Sequence, residues 1–186
     1  MNFTIPNLLS LFRMGLIPLF VISILDGRPQ RALLVFIIAG VTDALDGLIA
    51  RFFDQRSVLG SYLDPAADKL LLTTAYIMLS IPGLYPGTPI PIWVTVLVIF
   101  RDVAMVVVAL IAHLTLGIGK FPPSLLGKLN TLAQISAVVI VLLSGWRPAF
   151  HDAAYVAVHV VAVLTLVSGF DYVRRLNLSM AATRGR

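Results

Sequence analysis

Long apolar runs, broken at intervals by Gly, Pro and charge, make up almost the whole chain. Each run is about the 17–25 residues that a helix needs to cross a bilayer core. The breaks predict six transmembrane helices, from Asn7 to Leu25, Arg31 to Arg51, Tyr62 to Ile81, Ile90 to His113, Pro123 to Leu143 and Asp152 to Tyr172. "DGRPQ" (Asp26 to Gln30), "PGLYPGT" (Pro82 to Thr88) and "SGWRP" (Ser144 to Pro148) read as turns, while Phe52 to Ser61 and Thr115 to Phe121 read as more polar links. No repeat is visible and no room is left for a soluble domain, so residues 1–186 are expected to form one all-α integral membrane domain of six spans.

Composition agrees with the pattern. The chain is 59% hydrophobic and 12% charged, against roughly 45–50% and ~25% in soluble domains. It has no cysteine, which excludes disulfides and thiolate metal sites. The opening "MNFTIPNLLSLFRMGLIPLF" lacks the basic residues that precede a signal-peptide core, so the first span is expected to stay.

Charge adds an orientation. With the N-terminus inside, the inner loops and tail hold Arg51, Arg56, Lys120, Lys128, Arg174, Arg175, Arg184 and Arg186, against Arg28, Arg31 and Arg147 outside. Basic residues in short loops favour the cytoplasm, so both termini are expected there. The net charge of +5 is then mostly an inner-surface excess facing anionic membrane lipids. No nucleic-acid partner is expected. Residues 173–186 form a basic cytoplasmic tail, expected to be disordered beyond Ser179.

One stretch breaks the apolar pattern. "VTDALDGLIARFFDQRSVLGSYLDPAADK", Val41 to Lys69, holds five of the chain's nine aspartates, and there is no glutamate. Residues three or four apart share a helix face, so Asp43 pairs with Asp46 near the end of the second span and Asp64 with Asp68 near the start of the third. A short inner link should make these spans antiparallel neighbours, with the four carboxylates converging at one depth. Such a cluster in a low-dielectric region is costly unless compensated. Divalent cations are the natural compensators, and the all-oxygen donors suit Mg²⁺, Mn²⁺ or Ca²⁺ rather than zinc. Cations held this way with open positions commonly serve a phosphate or pyrophosphate. Gly47, Ala50 and Gly60 leave space for a ligand or for close helix packing, and Arg51 is placed to meet a phosphate or a carboxylate. A cation-coupled transporter is the competing class, since intramembrane aspartates also mark ion pathways. It does not explain the spacing to Gly60, Asp64 and Asp68.

The stretch reads Asp43-x2-Asp46-Gly47-x2-Ala50-Arg51-x8-Gly60-x3-Asp64-x3-Asp68. It resembles the signature of the CDP-alcohol phosphatidyltransferases at all eight specified positions. The six-span layout and "TIPNLLSLFR" extend the resemblance over most of the chain. The resemblance implies a homodimeric membrane enzyme that uses two divalent cations, Mg²⁺ or Mn²⁺, to move the phosphatidyl group of CDP-diacylglycerol to an alcohol with loss of CMP. It implies Asp43, Asp46, Asp64 and Asp68 as metal ligands, Asp68 also as general base, and Asp43, Asp46, Gly47, Arg51 and Gly60 at the CDP. A bacterial inner membrane is the expected location, with the site facing the cytoplasm.

The acceptor is less specified. Arg101, near the middle of the fourth span, should face a polar cavity. Its neighbour Asp102 projects about 100° away, which makes another helix or an anionic ligand the expected partner. Lys128, in "PSLLGKLNT", is a second acceptor candidate or a snorkelling interfacial lysine. "IPNLLSLFR", "LDPAADK" and "GKLNTLAQ" resemble the branch whose acceptors are glycerol-3-phosphate, giving phosphatidylglycerolphosphate, or phosphatidylglycerol, giving cardiolipin. The glycerol-3-phosphate enzymes of this branch commonly carry a further arginine one or two turns on, and none stands in the "VAMVVVALIAH" that follows Arg101-Asp102, which weakens the doubly anionic acceptor. No His-x-Lys occurs, so the phospholipase-D-like route is excluded. Asn7 and Arg13 read equally as cap and interface anchor or as parts of a headgroup pocket. Trp93, Trp146, Tyr85 and Tyr172 fit aromatic belts, and His113, His151 and His159 fit packed or interfacial positions.

Overall fold

This computed structural model describes the backbone of residues 5–52, 58–116 and 125–184, and the side chains of residues 11–43, 45, 67–108, 125–172 and 174. Six α-helices account for almost all of it: α1 (Ile5–Leu25), α2 (Pro29–Phe52), α3 (Val58–Ser80), α4 (Ile92–Leu116), α5 (Leu125–Ser144) and α6 (His151–Arg184). One 3₁₀ turn, Pro148–Phe150, leads into α6, and no strand occurs among the described residues. The helix starts and stops follow the expected breaks closely, with two exceptions. α3 begins at Val58, which puts Gly60 inside the helix and leaves only 53–57 between α2 and α3. α6 continues to Arg184, so residues 180–184 are helical and not disordered as expected. The physical reason is local: Leu176 to Arg184 contains neither Pro nor Gly, and Leu, Met, Ala and Arg all favour the helix.

Pairs of contacts fix the directions of the helices. Phe20 meets Phe36, and Arg13 meets Asp43, so numbering falls along α1 as it rises along α2. The same opposition holds for α3 and α4 (Lys69 with Asp102, Tyr76 with Thr95) and for α5 and α6 (Asn130 with Thr165, Ser144 with His151). α4 and α6 run parallel, since Arg101 bonds Ser168 and Met105 bonds Tyr172 one turn further on in both. α1 packs against both α2 and α3, and Asp43 of α2 and Asp68 of α3 come together at Arg13, as expected of neighbouring helices joined by a short link.

The core is apolar at the end that carries the connections 26–28, 81–91 and 145–147. Phe20, Ile24, Leu79, Ile90, Val141 and Leu142 are buried there. Tyr85 joins them, against the expectation of a belt residue: it is buried, and its hydroxyl donates to the Leu142 carbonyl at 2.6 Å. Trp93 and Trp146 stay exposed, as belt residues would. The perimeter reverses the usual soluble pattern. Phe100, Val106, Leu125 and Phe170 are each about 70% exposed or more, while Arg13, Asn130, Gln134 and Ser168 are buried inside.

Candidate functional site

The site is organised by a residue that the sequence left ambiguous. Arg13 of α1 has a side chain only 1% exposed. Its Nη1 donates to Asp43 Oδ1 on α2 at 2.9 Å and to Asp68 Oδ1 on α3. It is therefore not an interface anchor. A guanidinium that stays charged in a low-dielectric interior needs carboxylate partners, and a single planar fork can serve two. Three helices are thus tied at one point.

Both carboxylate side chains are 43% exposed. Asp43 and Asp68 are the two candidate ligands with described side chains, and they meet as expected. Asp46 and Asp64 lie one turn away on α2 and α3, at positions that share the faces of Asp43 and Asp68. The side chains of Asp46 and Asp64, and the surroundings of Gly47, Arg51 and Gly60, lie outside the described residues, as do those of Asn7 and His113. Among the described residues no group of three or more His, Cys, Asp or Glu gathers.

A divalent cation fits this arrangement. One guanidinium charge set against two carboxylates leaves the pair net negative, with oxygen atoms that remain accessible and two further aspartates one turn away. Hard oxygen donors of this kind suit Mg²⁺ or Mn²⁺.

A second polar chain begins one residue on. Lys69 Nζ bonds Asp102 Oδ2 at 2.5 Å, and Asp102 Oδ1 accepts from Arg101 Nη1 at 2.8 Å. Arg101 Nε donates to Ser168 Oγ at 3.2 Å, and Ser168 in turn donates to the Thr165 carbonyl. Thr165 Oγ1 donates to Asn130 Oδ1 of α5 at 3.1 Å. The expectation that Asp102 is no easy partner for Arg101 is overturned: the angle between consecutive Cβ directions is spanned by the length of the arginine, whose guanidinium folds back to the carboxylate. The other half of that expectation holds, since Ser168 belongs to another helix. Arg101 also lines a cleft of about 260 Å³ between α4 and α6, and this cleft is mainly apolar, not polar as expected. Side chains such as Leu97, Phe100 and Phe170 supply its walls, because the face of α4 that lines it is apolar at every position but Arg101. Lys128 lies exposed on α5, while Asn130, two residues on and on a different face, is buried in the chain of bonds.

Sequence reasoning therefore missed the roles of Arg13, Lys69, Asp102 and Asn130. For Arg13 a signal was present, a charge inside an apolar run, the same signal that singled out Arg101.

Comparison with known proteins supplies independent information. The family model described as CDP-alcohol phosphatidyltransferase matches residues 3–168. A probable phosphatidylglycerophosphate synthase of Mycobacterium tuberculosis is 34% identical over 177 residues, covering 92% of this chain and 80% of that protein. The CDP-diacylglycerol-glycerol-3-phosphate 3-phosphatidyltransferase of Escherichia coli is 34% identical over 180 residues, covering 92% and 94%. A CMP-forming cardiolipin synthase of Streptomyces coelicolor is 40% identical over 154 residues, covering 77% and 68%.

Proposed function

This chain belongs to the CDP-alcohol phosphatidyltransferase family, and from that premise we propose how its residues carry out the family's reaction. The enzyme transfers the phosphatidyl group of CDP-diacylglycerol to a glycerol-type alcohol and releases CMP. The observation that carries the assignment of its site is the convergence of Asp43 and Asp68, both partly exposed, on buried Arg13.

The six helices are read as six membrane spans. Support comes from the alternating helix directions, the exposed apolar perimeter and the excess of basic residues on the predicted inner side. Among the described residues, Leu125–Ser144 and Pro148–Tyr172 are long and apolar enough to cross a membrane, and Leu11–Leu25 is a shorter apolar helix. A bacterial inner membrane, cytoplasmic termini and a homodimer belong to the same reading.

Asp43, Asp46, Asp64 and Asp68 would hold two divalent cations, Mg²⁺ or Mn²⁺, which when bound neutralise the pyrophosphate of the donor. Gly47 and Gly60 leave room beside the nucleotide, and Arg51 meets one of its phosphates. Arg13 fixes the Asp43 and Asp68 carboxylates. Asp68 takes the proton of the acceptor hydroxyl. The hydroxyl oxygen then bonds to the phosphorus that carries diacylglycerol, the bond from that phosphorus to the bridging oxygen breaks, and the electron pair leaves with CMP. Arg101 and Lys128 are assigned to the acceptor's anionic group.

The test supplies the purified protein with CDP-diacylglycerol, Mg²⁺ or Mn²⁺, and in turn glycerol-3-phosphate, phosphatidylglycerol or inositol phosphate. CMP release that needs both the metal and a glycerol-type acceptor is expected. Absence of CMP release with all three acceptors would remove the reading.

A further inference from the structure

The cleft between α4 and α6 combines features that point to a lipid. Its walls are apolar side chains, including Leu97, Phe100, Val108, Leu166 and Phe170. Among the described residues its only charged lining residue is Arg101, which is 8% exposed, and Arg101 Nη2 has no hydrogen-bond partner. A buried donor without an acceptor is unfavourable, so an acceptor oxygen from a ligand fits there. Within the bonded trio of Lys69, Asp102 and Arg101, two positive charges stand against one negative. That matches a phosphodiester, whereas a phosphomonoester brings a charge of about −1.5 to −2. The polar end of the cleft is also tied to the reaction site, because Lys69, the partner of Asp102, follows Asp68 directly in the chain.

We propose that this cleft seats an acyl chain of the acceptor, which is an anionic glycerophospholipid bearing a free glycerol hydroxyl, with Arg101 on its phosphodiester. The proposal rests on the phosphatidyl-transfer reading and specifies its acceptor. An apolar wall favours an acyl chain and disfavours a small, fully polar glycerol phosphate, which would lose its hydration without replacement. The Tyr172 hydroxyl, bonded to the Met105 carbonyl at 3.2 Å, ties α4 to α6 within the cleft. Gly169 supplies a place to test it: a Cβ there meets nothing within 4 Å, so a side chain can enter the cleft without displacing the helices.

The experiment uses the full chain in nanodiscs containing phosphatidylglycerol that carries a photoreactive diazirine on one acyl chain. Crosslinks are expected on peptides containing Met105 or Phe170. A tenfold excess of unlabelled phosphatidylglycerol should remove them, and the same excess of glycerol-3-phosphate or CDP-diacylglycerol should not. Gly169→Leu should reduce the crosslink at least fivefold and raise KM for phosphatidylglycerol at least tenfold, with kcat within twofold of wild type. Arg101→Gln should also lose the crosslink, and if that variant does not fold, Gly169→Leu decides alone. Displacement by CDP-diacylglycerol, crosslinks elsewhere, crosslinks to a second copy of the chain, or an unchanged Gly169→Leu would each overturn the proposal. CMP release is measured on the same preparations. Release with glycerol-3-phosphate and no cleft crosslink overturns the lipid acceptor alone, whereas no release with either acceptor overturns the transferase reading with it.

Discussion

The two ends of the helix bundle are built on opposite principles. At the end with the short turns, polar groups are few and locally satisfied: Tyr85 donates to the Leu142 carbonyl, Thr88 N–H to Ser144 Oγ at 2.9 Å, and Ser144 Oγ to the Val141 carbonyl at 2.7 Å. The packing there is close enough that a Cβ on Gly145 would run into the Tyr85 ring and hydroxyl. Towards the end with the aspartates, charges replace packing. Arg13, Asp43, Asp68, Lys69, Asp102 and Arg101 hold four helices together, and buried donors or acceptors of Arg101, Asn130 and Gln134 go without partners. One end is arranged for stability. The other holds charged and unpartnered polar groups in its interior, at a cost in stability that the apolar end offsets.

The contrast can be broken most strongly at the carboxylates. Asp43→Asn, Asp64→Asn and Asp68→Asn should each lower turnover by about 10²–10⁴-fold, the range of a lost acid-base or ligand function. For Asp43 and Asp68 the thermal midpoint in detergent should stay near wild type, since Arg13 keeps one carboxylate partner. A midpoint that falls together with activity would place these residues among the packing elements. Arg13→Gln should cost both, with about 1–3 kcal/mol of stability lost because two half-exposed carboxylates lose their shared charged donor. Added Mn²⁺ should restore part of that loss, since a ligand that binds only the folded form stabilises it. An equal Mn²⁺ response in wild type and Arg13→Gln would separate Arg13 from the metal site.

The turn end should respond in the opposite sense. Gly145→Ala forces an added methyl against Tyr85 and should cost about 1–3 kcal/mol by overpacking, while the folded enzyme keeps its kcat. Tyr85→Phe removes one buried hydrogen bond and should cost about 1 kcal/mol, again without a kinetic change. Thermal denaturation and CMP release on the same samples check both. A kinetic defect in either variant would show that the two ends are coupled.

How much of this was legible in the sequence differs between the same two ends. Helix limits were readable because Gly and Pro punctuate long apolar runs, and most observed ends fall within a few residues of the expected ones. The pairing of Asp43 with Asp68 was readable too, since helical periodicity and a short link bring them to a similar depth. Side-chain partners were not. Cβ directions placed Asp102 away from Arg101, but an arginine is long enough to cross that angle. A short link suggested that α2 and α3 meet at the aspartates, but nothing in it revealed that α1 would pack against both and deliver Arg13. Tyr85 looked like a belt residue because its burial depends on Gly145, sixty residues away in the chain.

The central claim is that the carboxylates that meet at Arg13 perform phosphatidyl transfer. The most direct measurement compares metal-dependent CMP release from CDP-diacylglycerol, with phosphatidylglycerol and glycerol-3-phosphate both present, for wild type and folded Asp68→Asn. Release by wild type only in the presence of Mg²⁺ or Mn²⁺, with a loss of at least about 10²-fold in Asp68→Asn, is the predicted result. Release at the wild-type rate by Asp68→Asn would contradict it.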